Sequence, residues 1–380
     1  DFKKFGSCSK LVLAGCMPQR YQDEIAGLFP EVDAFIGTEN LGEIIQAVSG
    51  HGSWLQSPPV RYTEYNIKRP VPLSRHFAYI KIAEGCSSRC SYCSIPHFKG
   101  NYRSRRIEAV VNEAQQLSAD GTIKEIILIA QDTAVYGLDL YGRKMLPELL
   151  AGLSAIDTIS WIRIMYMNPF HLDDEILAAM AAHEKICRYI DIPFQHFSDK
   201  ILKLMNRPQT MGGSLALVEK IRSYMPDAAL RTSLIAGFPG ETDKDFAEML
   251  AAVEKIRFNR LGIFGWSGEE NTPAFNLPYR LSGEIIRGRI QEIMETQVQI
   301  STELLEKQVG NTFSVLVEKN RKIRRPDGAY LEYVGRSRYE APEIDGVFYI
   351  KTGSLEVSPG NFISACVDHS NEHDLFGTVA

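Results

Sequence analysis

The chain has 380 residues, of which 44% are hydrophobic and 23% are charged, a composition typical of a globular protein with two or three domains. Its net charge of −5 predicts no general affinity for nucleic acid. No apolar stretch approaches the roughly 20 residues that span a bilayer, and the N-terminus lacks the apolar segment of a signal peptide. With seven cysteines, an odd number, the chain is expected to be cytoplasmic, with its thiols reduced and no attachment to a membrane.

The first 50 residues show two short apolar runs, 10–15 and 33–37, each followed by a helical pattern, from Tyr21 and over 40–48. This βαβα order is typical of a parallel sheet flanked by helices. Two strands do not form a stable sheet of that type, so we expect residues 1–50 to be the C-terminal part of a flavodoxin-like α/β domain. The proline-containing residues 51–75 predict a linker.

Residues 76–307 contain six apolar runs that alternate with helical patterns and end in a long helix, 283–308. The runs are 77–82, 125–130, 161–167, 189–193, 230–237 and 260–266. This alternation predicts a (β/α) barrel of the TIM type, complete or partial, with its functional groups at the C-terminal ends of the strands. Polar residues or a cysteine-rich loop follow every run, which favours one shared pocket.

The sequence pattern changes in residues 308–380. This segment contains short β-type runs at 313–317, 347–350 and 362–367, with Gly/Pro turns between them. Several short strands of this kind predict a small, closed, all-β barrel. The segment carries eight Lys and Arg against ten Asp and Glu, a net charge of −2. A domain that binds RNA through phosphates should be positively charged, so RNA binding by this barrel is the less expected alternative.

Three cysteines, Cys86, Cys90 and Cys93, follow the first run of the barrel with C-x3-C-x2-C spacing. Zinc sites usually show paired C-x2-C units, and a second such pair is absent, so the triplet indicates an iron–sulfur cluster. A 4Fe-4S cluster normally takes four cysteine ligands, so three would leave one iron free to bind S-adenosylmethionine (SAM). A zinc site or a chance arrangement is the alternative.

The chain resembles the radical SAM methylthiotransferases over nearly its whole length, and most closely the RimO branch of that family. The motifs that carry the resemblance are Ala130-Gln-Asp-Thr133 with Tyr136-Gly137, Asp191-Ile-Pro-Phe-Gln-His196, Gly237-Phe-Pro-Gly-Glu-Thr242, Gly335-Arg-Ser337 and Ala341-Pro-Glu-Ile-Asp-Gly346. The resemblance implies the C-terminal part of a methylthiotransferase N-terminal domain, a radical SAM barrel and a TRAM-type β-barrel. The RimO branch modifies an aspartate of a small-subunit ribosomal protein.

The resemblance also implies that the cluster and SAM supply a 5′-deoxyadenosyl radical, chemistry that amino-acid side chains cannot provide. Tyr92 would contact the adenine of SAM, with simple packing as the alternative. Gln131, Asp132 and Thr133 lie where such enzymes bind the amino group of SAM, although Asp132 or Thr133 is nearly as well explained as a helix cap. Arg105, with its neighbour Arg103, would pair with a carboxylate of SAM or substrate unless both are surface arginines.

A second 4Fe-4S cluster belongs to the same resemblance, and Cys16 matches the third of its three cysteine ligands. The first two ligands are not among these 380 residues, so the ligand set is incomplete in this chain. Cys8 matches no ligand position, and Cys187 and Cys366 are expected to be buried small hydrophobic residues.

The expected reaction is therefore methylthiolation of the β-carbon of an aspartate in a small-subunit ribosomal protein, with a reductant such as flavodoxin or ferredoxin. Two alternatives stay open at this point. One is a tRNA methylthiotransferase that acts on adenosine, because TRAM-type barrels often bind RNA. The other is a truncated, non-catalytic relative, because the second cluster lacks two of its ligands.

Overall fold

The computed structural model describes residues 2–50, 52–55, 62, 64, 76–325, 328–352 and 356–380. The strands form an N-terminal parallel sheet, two further parallel sheets with a small hairpin beside them, and a closed C-terminal barrel. This mixed α/β architecture confirms the predicted fold class. Within the described chain, no helix combines the length and the apolar character needed to cross a bilayer.

The N-terminal sheet consists of three parallel strands in the order β1 (Val12–Ala14), β2 (Ala34–Ile36) and β3 (Gly52–Trp54). Its helical segments are α1 (Phe2–Phe5), α2 (Cys16–Tyr21), α3 (Ile25–Leu28) and α4 (Ile44–Ser49), with 3-10 turns at Gln22–Glu24 and Leu41–Glu43. The third strand lies within the segment predicted as a linker, because its sequence, Gly-Ser-Trp, carries almost no apolar signal. Most of residues 51–75 lies outside the described residues.

The central part contains eight strands: β4 (Phe77–Lys81), β5 (Ala83–Glu84), β6 (Arg103–Ser104), β7 (Glu125–Ile129), β8 (Trp161–Ile164), β9 (Tyr189–Asp191), β10 (Ala229–Ala236) and β11 (Arg260–Gly265). The strands β4, β7 and β8 form one parallel sheet, and β9, β10 and β11 form another. A parallel bridge between Ile162 and Ile186 joins the two sheets. All six predicted runs are therefore strands of one curved sheet. Among the described residues β4 does not pair with β11, so the barrel is open.

Nine helices of the described chain surround this sheet: α5 (Ile95–Lys99), α6 (Ile107–Ser118), α7 (Leu138–Tyr141), α8 (Leu146–Ser154), α9 (Asp174–Ala182), α10 (Asp199–Leu204), α11 (Met211–Tyr224), α12 (Asp243–Ile256) and α13 (Gly283–Glu306). Short 3-10 turns span Thr133–Val135 and Pro273–Asn276. Side-chain caps define several helix starts; for example, Thr242 accepts from the Asp245 amide while Asp245 accepts from the Thr242 amide. The apolar helix faces and the outer face of the sheet form the largest core.

The C-terminal barrel closes in the strand order β12 (Thr312–Arg325), β13 (Gly328–Arg336), β14 (Phe348–Lys351), β16 (Leu375–Val379) and β15 (Phe362–Ser370). The three predicted runs correspond to β12, β14 and β15. The strands β13 and β16 were not predicted. A core that includes Val315, Val317, Tyr333 and Phe348 fills the barrel.

A buried group of charges joins this barrel to the N-terminal ends of the central strands. Glu125, the first residue of β7, accepts hydrogen bonds from Nε of Arg163 at 2.6 Å and from Nη2 of Arg336 at 2.7 Å. All three side chains are at most 1% exposed. Burial alone would raise the pKa of Glu125, but Arg163 and Arg336 outweigh it and hold that pKa below its usual value. The carboxylate therefore stays charged between two guanidinium groups and fixes the C-terminal barrel under the central sheet.

Replacing Arg336 by Met tests this connection. The variant leaves Glu125 buried with one of its two cations removed, so we expect the free energy of unfolding to fall by about 3 to 5 kcal/mol, measured by urea denaturation. Arg321→Met is the matched control on β12, because Arg321 pairs with Glu332 while its side chain is 52% exposed. That variant should lose less than about 1 kcal/mol. Equal losses in the two variants would contradict the assignment.

Candidate active site

The three cysteines lie on a loop that the hairpin of β5 and β6 closes at its base. Gly85, directly before Cys86, has a φ of +78°, and a Cβ at this position would lie 2.2 Å from the carbonyl oxygen of Asn101. Glycine is therefore required for the two sides of the loop to approach. The Cys86 amide then donates to the Gly100 carbonyl at 3.1 Å. The cysteine loop therefore begins directly after β5, beyond the C-terminal end of β4.

Residues from other parts of the barrel hold the middle of the loop. The Ser91 amide donates to the Met205 carbonyl at 2.9 Å, and its hydroxyl donates to the Leu204 carbonyl at 2.7 Å. The Ser91 carbonyl in turn accepts from the Ala274 amide at 2.8 Å. The side-chain amide of Asn206 donates to the Arg89 carbonyl at 2.6 Å. The end of α10 and the 3-10 turn at Pro273–Asn276 therefore fix the loop.

All three cysteines line one cavity of about 250 Å³, which we call the cofactor cavity. Its other lining residues are Ser88, Tyr92, Ile95, Ala130, Gln131, Asp132, Tyr166, Asn168, Pro193, Gln195 and Arg207. Among the described residues, no three His, Cys, Asp or Glu side chains converge tightly enough to hold a single metal ion. The three cysteines share one space, and it is their spacing in the sequence that indicates the cluster.

Two cysteines of the cofactor cavity, Cys86 and Cys93, are poor acids in this environment. Burial raises the pKa of Cys93 to about 11 and also raises the pKa of Cys86. Without metal, these two groups are therefore neutral thiols at physiological pH. Iron must displace their protons, as it does whenever cysteine ligates a metal.

Arg207 is the cation of the cofactor cavity, and no motif in the sequence indicates it. Its Nη1 lies 3.8 Å from Sγ of Cys90 and 3.3 Å from the hydroxyl of Tyr92. Its Nη2 donates to the Pro193 carbonyl at 2.9 Å. The residue is 8% exposed and lies 117 positions after Cys90. No spacing rule connects positions so far apart, so the sequence offered no signal for this contact.

The three polar residues after β7 have different surroundings: some line the cofactor cavity, and some form hydrogen bonds with backbone groups. Gln131 lines the cofactor cavity, and its Oε1 is buried with no hydrogen-bond partner among the described residues. Asp132 also lines the cavity, but its Oδ1 accepts from the Ala134 amide and its Oδ2 lies 2.5 Å from Nδ1 of His171. Asp132 thus caps the 3-10 turn, as the alternative interpretation expected. Thr133 does not line the cavity, because its hydroxyl donates to the Met165 carbonyl at 3.0 Å.

Tyr92 lies on the boundary between the cofactor cavity and a larger one. Its ring meets that of Phe238 edge-on, with centroids 6.4 Å apart, and Phe238 meets Trp266 in the same way. Burial raises the pKa of Tyr92 well above its usual value, so the phenol stays neutral. Gly237 allows this packing, since its φ is +77° and a Cβ there would lie 2.4 Å from Ile286. Tyr92 therefore has both a packing contact and a face available to a ligand.

The predicted arginines lie beside the loop and do not line the cavity. Arg105 pairs with Glu64 and Glu113 and donates to the Lys81 carbonyl. Arg103, 2% exposed, donates to the Lys99 and Asn101 carbonyls and pairs with Glu39. Both are buried and structurally engaged, so neither the surface interpretation nor a cofactor carboxylate is supported by these contacts.

The remaining cysteines are separated from the triplet. Cys16 is exposed at the first turn of α2, which packs against α5 just after the cysteine loop. The Cys8 thiol donates to the Lys10 carbonyl. Cys187 is 1% exposed in an apolar cluster, and burial raises its pKa to about 11. Cys366 is half-buried on β15.

A second cavity of about 580 Å³, which we call the lumen cavity, lies on the inner face of the open barrel. Its lining residues are Tyr79, Tyr92, Ile129, Ala130, Met165, Tyr166, Asp191, Gln195, Arg231, Ser233, Ile235, Phe264, Gly265, Trp266, Ser267 and Ile344. Four of these, Tyr92, Ala130, Tyr166 and Gln195, also line the cofactor cavity. The non-glycine residues Tyr166 and Gln195 have positive φ values of 62° and 70°, a conformation that often marks functional sites. The two cavities therefore share a wall.

The comparisons with known proteins agree with this geometry. The Radical SAM superfamily model matches residues 80–253, and the TRAM domain model matches residues 309–380. The ribosomal protein uS12 methylthiotransferase RimO of Lachnoclostridium phytofermentans is 43% identical over 386 residues, covering 100% of this chain and 85% of the relative. The chain belongs to the RimO family. The Thermotoga maritima RimO is 42% identical over 371 residues, covering 97% of this chain and 83% of that protein.

A solved structure supports the fold of this RimO family member. The radical SAM methyltransferase TsrM of Kitasatospora setae, bound to tryptophan and a SAM analogue, aligns with a TM-score of 0.52 and 15% identity. The alignment covers 82% of this chain and 61% of TsrM. At this identity the likeness concerns the fold alone.

The site suits the 4Fe-4S cluster and SAM that the radical SAM family implies. Three thiols on one fixed loop provide the soft donor set that iron–sulfur clusters use. The unpartnered Oε1 of Gln131 offers an acceptor to a ligand amino group, and Arg207 offers a cation. Cys86, Cys90 and Cys93 would hold the cluster, and the other polar residues would contact SAM.

Replacing Cys90 by Ala removes one ligand of the predicted tripod. We expect anaerobically reconstituted protein to lose iron and the broad visible absorbance of that cluster, together with SAM cleavage to 5′-deoxyadenosine. Cys187→Ser is the control, since Cys187 lies in an apolar cluster and should not affect iron content. Full SAM cleavage by the Cys90 variant, or iron loss in the Cys187 variant, would show that the ligands are misassigned.

Replacing Arg207 by Met removes the cation beside Cys90. A nearby positive charge favours the more negative, reduced form of a cluster, so we expect the reduction potential to become more negative. The measurement is a redox titration followed by electron paramagnetic resonance. Arg89→Met is the control, because Arg89 lies on the same loop but donates to Asn101 at the surface. Equal potentials in wild type and the Arg207 variant would exclude this role.

Proposed function

We propose that the protein adds a methylthio group to the β-carbon of an aspartate in ribosomal protein uS12. The observation that carries the proposal is the similarity to RimO enzymes, 40 to 43% identical over 97 to 100% of the chain, which includes the cysteine loop and both cavities. When bound, the cluster and SAM supply the radical that removes hydrogen from an unactivated carbon. The chain has to bind, orient and shield the reacting groups.

The residues around the two cavities can perform those tasks. Arg207 connects Cys90, Tyr92 and the Pro193 carbonyl and so keeps the cysteine loop in one position. Gln131 can accept from the amino group of SAM, while Asp132 holds the 3-10 turn beside it. The edge-on rings of Tyr92, Phe238 and Trp266 form an apolar wall beside the two cavities, in which Tyr92 lines both cavities and Trp266 lines the lumen cavity. Such a wall excludes water from a radical step.

We further propose Cys16 as one ligand of a second 4Fe-4S cluster, with its other cysteine ligands not among these 380 residues. Two contacts support a position near the first site: α2 packs against α5, and Arg20, one turn after Cys16, pairs with Glu269 at 2.5 Å. Glu269 follows β11 at the C-terminal edge of the barrel. A small reductant such as flavodoxin or ferredoxin would deliver electrons to the cytoplasmic enzyme.

Incubating the reconstituted protein with uS12, and separately with tRNA, tests the substrate. The sample contains SAM, a reductant and a sulfide source, and mass spectrometry measures the added methylthio mass. We expect modification of one aspartate in uS12 and none in tRNA. Modification of tRNA alone would favour the adenosine enzyme. Absence of SAM cleavage after full reconstitution would favour the non-catalytic alternative.

A further inference from the structure

We propose that Arg231 binds the side-chain carboxylate of the substrate aspartate and thereby selects aspartate over asparagine. This inference rests on the proposed function. Arg231 lies on β10 and lines the lumen cavity. Among the described residues that line this cavity, it is the single cation, and Asp191 is the single anion.

The alternation of β10 explains why an arginine lies there. Leu230, Thr232 and Leu234 are buried against the helices, whereas Arg231, Ser233 and Ile235 are half-buried on the inner face. A closed barrel would fill its interior with apolar side chains. In this open barrel the inner face stays accessible, and a charged residue can contact a ligand there.

One carboxylate already holds Arg231 and leaves part of its guanidinium available. Nη1 donates to Oδ1 of Asp191 at 2.7 Å, and Oδ2 of Asp191 accepts from the Tyr166 amide at 3.0 Å. Within the described chain, Nε and Nη2 of Arg231 have no hydrogen-bond partner. Since a guanidinium has five N–H donors in a planar fork, it can bind a second carboxylate while it keeps the first.

The position of Arg231 suits a reaction at the β-carbon. Asp191 connects Arg231 to Tyr166, and Tyr166 belongs to the wall shared with the cofactor cavity. In aspartate the β-carbon is bonded directly to the carboxyl carbon. An arginine that holds the carboxylate therefore fixes the reacting carbon one bond away. The apolar side chains of Ile129 and Met165, on the same inner face, suit the methylene group.

Although burial opposes the shift, the carboxylates of Asp191 and Asp345 raise the pKa of Arg231, so the guanidinium stays charged. Burial raises the pKa of Asp191 even though Arg231 opposes that shift. The pair is only partly desolvated at Arg231, whose side chain is 18% exposed, compared with 3% for Asp191. Asp191 therefore does not fully enclose the guanidinium, which can attract a ligand carboxylate in the lumen cavity. Asparagine would offer one neutral oxygen in place of that charge.

The test is the affinity of cluster-loaded protein for uS12 and for uS12 in which the modified aspartate is asparagine. S-adenosylhomocysteine replaces SAM so that binding is measured without turnover. We expect wild type to prefer the aspartate form by about 10- to 100-fold, as a charge-assisted hydrogen bond implies. Arg231→Gln should bind both forms alike.

Two further variants separate recognition from damage to the fold. The double variant Arg231→Gln/Asp191→Asn removes both charges, so no buried charge is left unpaired, and it should also bind both forms alike. Arg260→Gln is the matched control, because Arg260 is the register partner of Arg231 on β11 but does not line the lumen cavity. That variant should keep the wild-type preference.

The iron content and the affinity for S-adenosylhomocysteine are measured for each variant and report whether its cofactor site is intact. If wild type shows no preference, or if both Arg231 variants keep it, the inference is overturned while methylthiolation of uS12 by wild type still stands. If wild type does not modify uS12 at all, the proposed function fails, and this inference fails with it.

Discussion

The open barrel is the constraint on which the rest of the structure depends. Six parallel strands curve without closure between β4 and β11 in the described chain, so their inner face is not filled by a ring of apolar side chains. The polar groups at the N-terminal ends of the strands, on the inner face and at the C-terminal ends must therefore find their partners locally. Glu125 and its two arginines do so at the N-terminal ends, Asp191 and Arg231 on the inner face, and the cysteine loop lies at the C-terminal ends.

The charged groups of these three regions differ in how completely they are paired. The fully paired groups stabilise the fold, and the partly paired groups can bind a ligand. At the base, Glu125 binds two guanidinium groups with both oxygens and no exposure, which is a purely structural arrangement. On the inner face, the Arg231 pair keeps donors toward the cavity. At the top, burial leaves Cys86 and Cys93 as weakly acidic thiols. Arg231 and the cysteine thiols thus lie on the side where ligands would bind.

The sequence predicted the elements that repeat and missed those that depend on distant contacts. All six barrel strands and the long helix follow from apolar periodicity, and Cys86, Cys90 and Cys93 line one cavity as their spacing suggested. The strand β3 was missed because Gly-Ser-Trp carries a weak apolar signal, whereas in β13 and β16 glycine and polar residues interrupt the apolar residues. Arg207 was missed for a different reason, since only folding brings it to Cys90. Arg105 shows the converse, because nearness to the loop in sequence did not bring it into the cavity.

The sequence segments that carry the RimO resemblance lie at two different places in the structure, the cofactor cavity and the lumen cavity. Gln131 and Asp132 lie in the cofactor cavity. The segment 341–346 instead packs under the lumen, where Asp345 accepts from the Tyr189 hydroxyl at 2.7 Å and Ile344 lines the lumen cavity. The C-terminal barrel therefore contributes directly to the cavity in which the substrate side chain would bind. Glu125 anchors this barrel through Arg336, and Ile344 of the same barrel lines the lumen cavity together with Arg231.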